Sequence, residues 1–478
     1  IGREIGMGQE IADSRFSEED FIAFSERLKR ETVLLGEWLR GGAFPRSDHV
    51  GGFELEAWLV DEAAEPAPIN DRCLEKINSP LVVPELAKFN LELNGHPVTL
   101  AGDALSCLAN DLKRTWSSCN ALADEHGARL AMIGILPTVT EDHLNPQNMS
   151  PLKRYKALDE QLFKLRGGKP LSMDIEGRER LSFVHEDVML ESATTSFQIH
   201  LKVDVDKAVR FYNAAKLLSA PMVALSANSP YLFGVDLWDE TRIPLFEQAV
   251  YVGQSELTKR VTFGVRYLER SIMELFEANC ERYPVLLPRL MDEPEERFAH
   301  LRLHNGTIWR WNRPLVGFND QGVPHLRIEH RVVPAGPTVD DCMANAAFYF
   351  GAVHALAAME DPPEGHLPYE QARDNFYNAA RLGLHAEVQW LDGRRGGLGV
   401  LCEELLHGLA RQGLEALGIE PPEIERWLGI VERRLNSGQT GAVWQRGWVA
   451  AHGRDMRGLT EAYLERQGSG RPVHEWSV

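Results

Sequence analysis

The sequence predicts an α+β fold built on a mostly antiparallel sheet, and three observations carry that reading. Four stretches, near 51–60, 89–93, 196–203 and 324–333, alternate apolar and polar residues, the mark of strands with one buried face. Helical stretches fall between them irregularly, which disfavours a doubly wound parallel sheet. After Val339 the apolar spacing is helical almost to the end of the chain.

In order, Ser17-Glu18-Glu19-Asp20 starts a helix with Ser17 as its cap. An apolar stripe at Phe21, Phe24, Leu28, Leu35 and Leu39 follows, and Gly41-Gly42 ends it. The first strand comes next, then a Pro-rich connection over 66–84 and the strand at 89–93. A helix is expected over about 103–126, a buried strand at 130–136, a helix at 152–165 and a mobile loop over 167–191. The third strand leads into a helix at 206–226, stopped by Ser229-Pro230-Tyr231. A strand pair is expected at 306–311 and 324–333, and helices at 340–359, 401–417 and 423–435.

The chain has 478 residues, of which 44% are hydrophobic, enough for a large core and roughly two to four domain-sized units. We divide it into an N-terminal helical segment (1–50), a sheet-bearing domain (51–395) and a helical C-terminal extension (396–478). A net charge of −19 argues against nucleic-acid binding by general electrostatics. The longest apolar runs, near 217–225 and 286–287, are too short and interrupted for a membrane span. The N-terminus lacks the apolar core of a signal peptide, and its first residue, Ile1, is consistent with a trimmed or tagged start. Six cysteines (73, 107, 119, 280, 342 and 402) include no Cys-x-x-Cys pair, as expected of reduced thiols in the cytoplasm.

On the first strand Phe53, Leu55, Ala57 and Leu59 share one face, and Glu54 and Glu56 the other. Two carboxylates about 7 Å apart along a strand can serve hard cations such as Mg²⁺. Taken alone, they equally describe a sheet with one solvated face. The other strands add further polar groups: Glu92, with Glu85 just before it; Gln198 and His200; and Arg327, Glu329 and Arg331. Each group alone reads as ordinary sheet polarity. Together they supply carboxylate oxygens for metal and arginines for phosphate. No phosphate-binding Gly-x-x-x-x-Gly-Lys-Ser/Thr loop occurs, nor a dinucleotide-binding glycine set, His-Glu-x-x-His or Gly-x-Ser-x-Gly. A nucleotide would therefore be held by metals and arginines on a sheet.

These residues resemble the bacterial and plant-type glutamate–cysteine ligases and their carboxylate–amine ligase relatives. The likeness rests on Phe53-Glu54-Leu55-Glu56, Leu91-Glu92-Leu93, Arg154-Tyr155, Phe197-Gln198-Ile199-His200, Ser226 to Tyr231, Ile328-Glu329-His330-Arg331 and Asn375 to Leu384. It implies a glutamine synthetase-like fold: a curved antiparallel sheet forming a funnel, flanked by helices. It also implies roles. Glu56, Glu92 and Glu85 match one metal-binding group, and Glu54, His200 and Glu329 another. Arg331 matches the arginine near the acyl phosphate and the amino-acid carboxylate, and Arg313 joins it as catalytic. Arg154, Gln198 and Arg327 fall to substrate or nucleotide binding. The chain departs from the pattern at His96-Pro97, in the 167–191 loop and beyond residue 400.

The resemblance implies a ligase that uses ATP and more than one Mg²⁺, for which Mn²⁺ could stand in. It would join a carboxylate to an amine through an acyl phosphate, with glutamate and cysteine, or another amine, as the first substrates to test. That places the chain in glutathione biosynthesis, in the cytoplasm, without nucleic-acid or membrane partners; a homo-oligomer is compatible with the sequence. The alternatives are a guanidino phosphotransferase on the same fold and a non-catalytic metal- or nucleotide-binding relative. Glu56→Gln is expected to weaken Mg²⁺ binding at no cost to the fold.

Overall fold

Twelve residues of alternating character, Val50–Asp61, form the central strand β1 of the computed structural model. The structure describes residues 16–46, 48–253 and 255–478, so most of the expected N-terminal segment, but not residues 1–15, lies within it. The other strands follow in order: β2 (Val82–Pro84), β3 (Asn90–Asn94), β4 (Val98–Thr99), β5 (Ala128–Ala131), β6 (Leu171–Glu176), β7 (Arg180–His185), β8 (Phe197–Val203), β9 (Tyr231–Leu232), β10 (Val235–Asp236), β11 (Asn312–Phe318), β12 (Pro324–His330), β13 (Glu387–Gln389) and β14 (Arg395–Gly397). Eight of them make one curled antiparallel sheet in the order β11-β12-β8-β1-β3-β2, with β4 and β5 also paired to β1.

Alternation gives that sheet two unlike faces. Phe53, Leu55, Ala57 and Leu59 of β1 are all buried against the back. Helices Ala208–Ser226 and Val339–Ala358 pack there, behind β8 and β12. Gly51 permits the contact, since a Cβ on it would stand 2.7 Å from Leu100 and 2.8 Å from Phe350. Helix Ala208–Ser226 is buried on nearly every side, which explains why its sequence shows an apolar run instead of a stripe. The first helix, Glu18–Gly41, starts at a capping box, with Ser17 and Asp20 each bonding the other's backbone N–H, and ends at Gly42 with φ of 74°.

Several expected elements are placed differently. The 167–191 stretch is not a loop but the β6–β7 hairpin followed by a short 3₁₀ turn, Val188–Ala193. Leu171, Met173 and Ile175 are its buried face. The strand expected at 306–311 begins instead at Asn312. Arg310 makes an isolated parallel bridge with Thr262 instead of joining the sheet, and its guanidinium lies 2.5 Å from the Asn279 side-chain oxygen. β11 then runs through Pro314, which an edge strand tolerates because the missing N–H faces no partner. The 66–84 connection holds a helix, Asn70–Ile77, as well as β2, and the strand expected at 130–136 ends at Ala131. The helix expected at 401–417 carries a π-helical segment, Leu406–Ala410.

The helices after residue 420 are fastened to the core by buried polar contacts. Arg434 bonds Asp341 at 2.7 Å, Asn345 at 2.6 Å and the Leu225 carbonyl at 3.1 Å. Asn228, in the turn after the buried helix, donates to the Tyr463 hydroxyl at 2.8 Å and accepts from Gln445 at 3.0 Å. Among the described residues, no helix is long and apolar enough to cross a membrane.

Helix Val339–Ala358 touches the segment around Ala410–Gly413 backbone to backbone. A Cβ on Gly351 would drive into the Ala410 carbonyl. Gly351→Ala is therefore expected to lower stability by about 1–3 kcal/mol or more, as overpacking does. Gly365→Ala, with nothing within 4 Å of the added carbon, should stay within about 0.5 kcal/mol of wild type. Denaturant titration of the two variants measures the difference.

Candidate active site

Strand pairing sets the polar face into rows. Arg313 on β11 stands opposite Glu329 on β12, and Glu329 opposite His200 on β8. Across β1, Glu54 lies between Gln198 and Asn94, and Glu56 stands opposite Glu92. Gly52, opposite His200, puts no side chain in the way of the ring. Eight side chains separated by up to 275 positions in sequence thus meet on one face of the curled sheet.

Glu329 is wholly buried. Arg313 grips it through two bonds, at 2.7 and 3.0 Å, the fork-to-carboxylate geometry that suits arginine. Arg331 approaches the same carboxylate at 3.2 Å and donates to Gln198 at 2.5 Å. Gln198 in turn donates to Glu56 at 2.9 Å, and the Ser196 N–H donates to the other Glu56 oxygen at 2.7 Å. Both oxygens of Glu56 therefore accept from donors. An amide cannot accept at both positions, so Glu56→Gln would forfeit one bond, contrary to the expectation that it leaves the fold untouched.

His200 Nε2 lies 3.4 Å from Glu54 and 3.6 Å from Glu329. The donor atoms of these three residues all fall within 4.8 Å of one another, and all three side chains are buried. Neither His200 Nε2 nor Glu54 Oε2 has a hydrogen-bond partner. Buried polar atoms without partners are costly unless something satisfies them, and two carboxylates with one imidazole could hold a divalent metal ion. Among the described residues this is the one trio that closes to that size. Glu56, Glu85 and Glu92 line a shared cavity of about 460 Å³ without forming a second such trio.

Protonation follows burial and neighbours. Burial, then Glu92 and Glu329, push Glu54 well above the usual carboxylate range. Burial and Glu92 do the same to Glu85. Burial also raises Glu56, against the pull of Arg331. Burial would raise Glu329 too, but Arg313 and Arg331 more than offset it and bring it down to about 2. Burial depresses His200 to about 3, so its ring is neutral, the form that binds metal. A cation entering beside Glu54 would displace a proton.

The remaining expected residues divide. Arg154 lines the cavity and packs over the Tyr155 ring, 4.6 Å from its centroid. Arg327 shares the strand face, but it lies toward His325, 3.2 Å from its ring, and does not line the cavity. The far wall is apolar, with Val83, Pro84, Leu287, Leu303 and Trp309. Sequence reasoning missed Glu191, which lines the cavity from the short turn before β8. It also missed Asn94, whose amide donates to Glu92 at 2.8 Å. Asn94 could have been found, being two residues after Glu92 on the same strand. Glu191 sat in a stretch read as loop, where no periodicity points.

Residues 50–463 match the model of glutamate–cysteine ligase family 2. No curated protein matches the chain. Among solved structures it resembles the glutamate–cysteine ligase of Francisella tularensis in complex with AMP, with a TM-score of 0.54 and 11% identity over 89% of this chain and 90% of that one. It also resembles a bifunctional glutathione synthetase from Pasteurella multocida, with a TM-score of 0.52 and 14% identity over 92% of this chain but 55% of that one. At such identities the likeness is one of fold.

Glu54→Gln separates a cation site from a structural cluster. The substitution removes one buried charge whose free oxygen has no partner, so the metal-free protein should melt at or above the wild-type temperature. Wild type should be stabilised by added Mn²⁺ or Mg²⁺ through linkage, and the variant should lose most of that shift. A variant that keeps the full shift places the ion elsewhere.

Proposed function

Because the chain belongs to glutamate–cysteine ligase family 2, we propose that it is an ATP- and Mg²⁺-dependent carboxylate–amine ligase that forms an amide through an acyl phosphate. The single observation that carries this is the buried Glu54–His200–Glu329 trio, set in one sheet face with Arg313 and Arg331 beside a cavity of about 460 Å³. Glutamate is the proposed carboxylate donor, and cysteine or another amine the acceptor. The unpaired cysteines accord with work in a reducing cytoplasm.

Each residue then has a task. Glu54, His200 and Glu329 hold divalent metal, with Glu56, Glu85 and Glu92 on the same wall able to hold more. Mg²⁺ there would neutralise phosphate oxygens and so favour attack on the γ-phosphorus. Arg331, with its Nε buried and without a partner, offers a donor edge to a substrate anion. Arg313, doubly bonded to Glu329, positions that carboxylate. The apolar wall of Leu287, Leu303 and Trp309 excludes water. A substrate carboxylate oxygen attacks the γ-phosphorus and ADP leaves. The amine nitrogen then attacks the acyl carbon, the bond to phosphate oxygen breaks, and inorganic phosphate and one proton are released.

The test is ADP release with Mg²⁺, glutamate and a pool of amines, with product mass read alongside. Release that needs both glutamate and an amine is expected. Metal binding without turnover would instead make the chain a binding protein.

Arg331→Lys probes the anion-binding role. Lysine keeps the charge and loses the planar fork, while Arg313 still neutralises Glu329. kcat should fall by on the order of 10²–10³, as for loss of one preorganised donor, with the melting temperature near that of wild type. A clear loss of stability with near-normal turnover would leave Arg331 a purely structural role.

A further inference from the structure

The first helix, Glu18–Gly41, lies before the residues that match the family. It packs against helix Met273–Arg282, the short turn Glu295–Arg297 and helix Ala299–Gly306. The last of these reaches the cavity. Leu303 and Gly306 on it, and Thr307 and Trp309 just after it, form part of the wall. Its C-terminal end is also tied to the strand that carries Arg313. Asn305 donates to the Pro314 carbonyl at 2.9 Å. Arg313 donates to the Gly306 carbonyl at 3.3 Å while it grips Glu329.

The other end of this short helix is held by Glu31, whose side chain is fully buried. One carboxylate oxygen accepts from the Leu301 N–H at 2.8 Å. The other lies 2.6 Å from His300 Nδ1, with Arg27 at 3.7 Å. His300 Nε2 accepts from the Met291 N–H at 3.1 Å. That leaves the ring hydrogen on Nδ1, directed at Glu31. The entry to the helix is strained as well. Phe298, wholly buried, has φ of 52° and ψ of 35°, the left-handed region that a bulky residue rarely adopts. Such a corner persists only where its surroundings over-determine it. Here they are Trp38 of the first helix, edge-on at 5.1 Å, and Phe318 of β11, stacked at 6.1 Å. Arg27 and Arg30 pair with Glu295, at 3.4 and 2.6 Å, just before the corner. A strained corner and a buried carboxylate are poor devices for stability alone. Both converge on the helix that joins the first helix to the cavity.

We propose that the first helix is a clamp on the cavity wall and that Glu31 is its positioning residue. By fixing His300 and Leu301, Glu31 holds helix Ala299–Gly306 in place. Through that helix it sets Leu303 and the carbonyl on which Arg313 rests, and so the carboxylate of Glu329. Glu31 lies outside the cavity and acts only through these neighbours. Its effect on turnover rests on the ligase reading above; its effect on cation affinity does not.

Glu31→Gln opens the clamp at nearly constant volume, because one amide oxygen cannot replace two carboxylate oxygens that serve separate donors. Calorimetric titration of the full chain with Mn²⁺, ADP release and melting temperature are read side by side. In Glu31→Gln the Mn²⁺ Kd should rise, and kcat fall, each on the order of 10–100-fold, the scale of a displacement of about 1 Å at a site. His300→Asn gives up the Met291 bond but can still donate to Glu31, so it should keep both values near wild type. Gly351→Ala, behind the sheet, should lower the melting temperature and move neither. Wild-type Mn²⁺ affinity and turnover in Glu31→Gln, whatever its melting temperature, overturn the clamp. An equal loss in Gly351→Ala overturns it too, since general destabilisation would then suffice. If Glu31→Gln does not fold, Trp38→Leu, which frees Phe298 from the other side, is read in its place against the same outcomes. Mn²⁺ binding without ADP release in wild type ends the ligase reading, and the Mn²⁺ affinities alone then decide the clamp.

Discussion

The register of β12 on β8, and of β8 on β1, is the constraint on which the site depends. Because side chains alternate, a slip of one residue turns a strand's entire polar set to the other face. A slipped β12 would present Ile328 and His330 to the cavity and press Glu329 and Arg331 into the helices behind. In the observed register Glu329 lies between Arg313, Arg331 and His200. Breaking a buried pair of this kind is costly, yet replacing it outright with apolar residues often is not. The cluster is thus a poor device for stability, and its place in the middle of the sheet makes sense as a device for binding charge.

The same sheet face and its cavity treat their acids in opposite ways. Two arginines hold Glu329 low, whereas Glu54 and Glu85 are pushed up by burial and by other acids. Glu191 rises to about 8, from burial and then Glu56, with Arg331 opposing. One carboxylate is therefore permanently anionic and anchors the arginines. The others are prepared to exchange a proton for a cation. Cavities that part similar groups in this way are characteristic of sites that handle charge.

The sheet face was readable because period two is a strong local signal. Glu54, Glu56, Glu92, Gln198, His200, Glu329 and Arg331 all stand where alternation put them. Alternation along one strand says nothing about its neighbour, so the rows, and the grip of Arg313 on Glu329, appear only once the strands pair. The errors have physical causes too. Pro314 hid β11, since proline in a strand is tolerable only at an edge and edges are not marked in sequence. Leu171, Met173 and Ile175 alternate as clearly as β1, but polar surroundings on both sides disguised a hairpin as a loop. Glu191 lies on a 3₁₀ turn, which has no periodicity to read.

Asn228 has a further consequence, for the order in which the molecule can be completed. Its turn closes the buried helix behind the sheet, yet its side chain is held by Gln445 and Tyr463, more than two hundred residues later. A chain emerging from the ribosome can pair β1, β8 and β12 long before those partners exist. Until then the Asn228 amide can donate to the Ala335 carbonyl, but its side-chain oxygen lacks Gln445 and must be hydrated or unsatisfied. The charged cluster on the front would be left in an incompletely dried sheet, where buried acids cost less and cations are held less tightly. Cation capture would then come late in synthesis, after the last helices dock, and a nascent chain stalled before residue 440 would have its ligands in sequence but not yet a site.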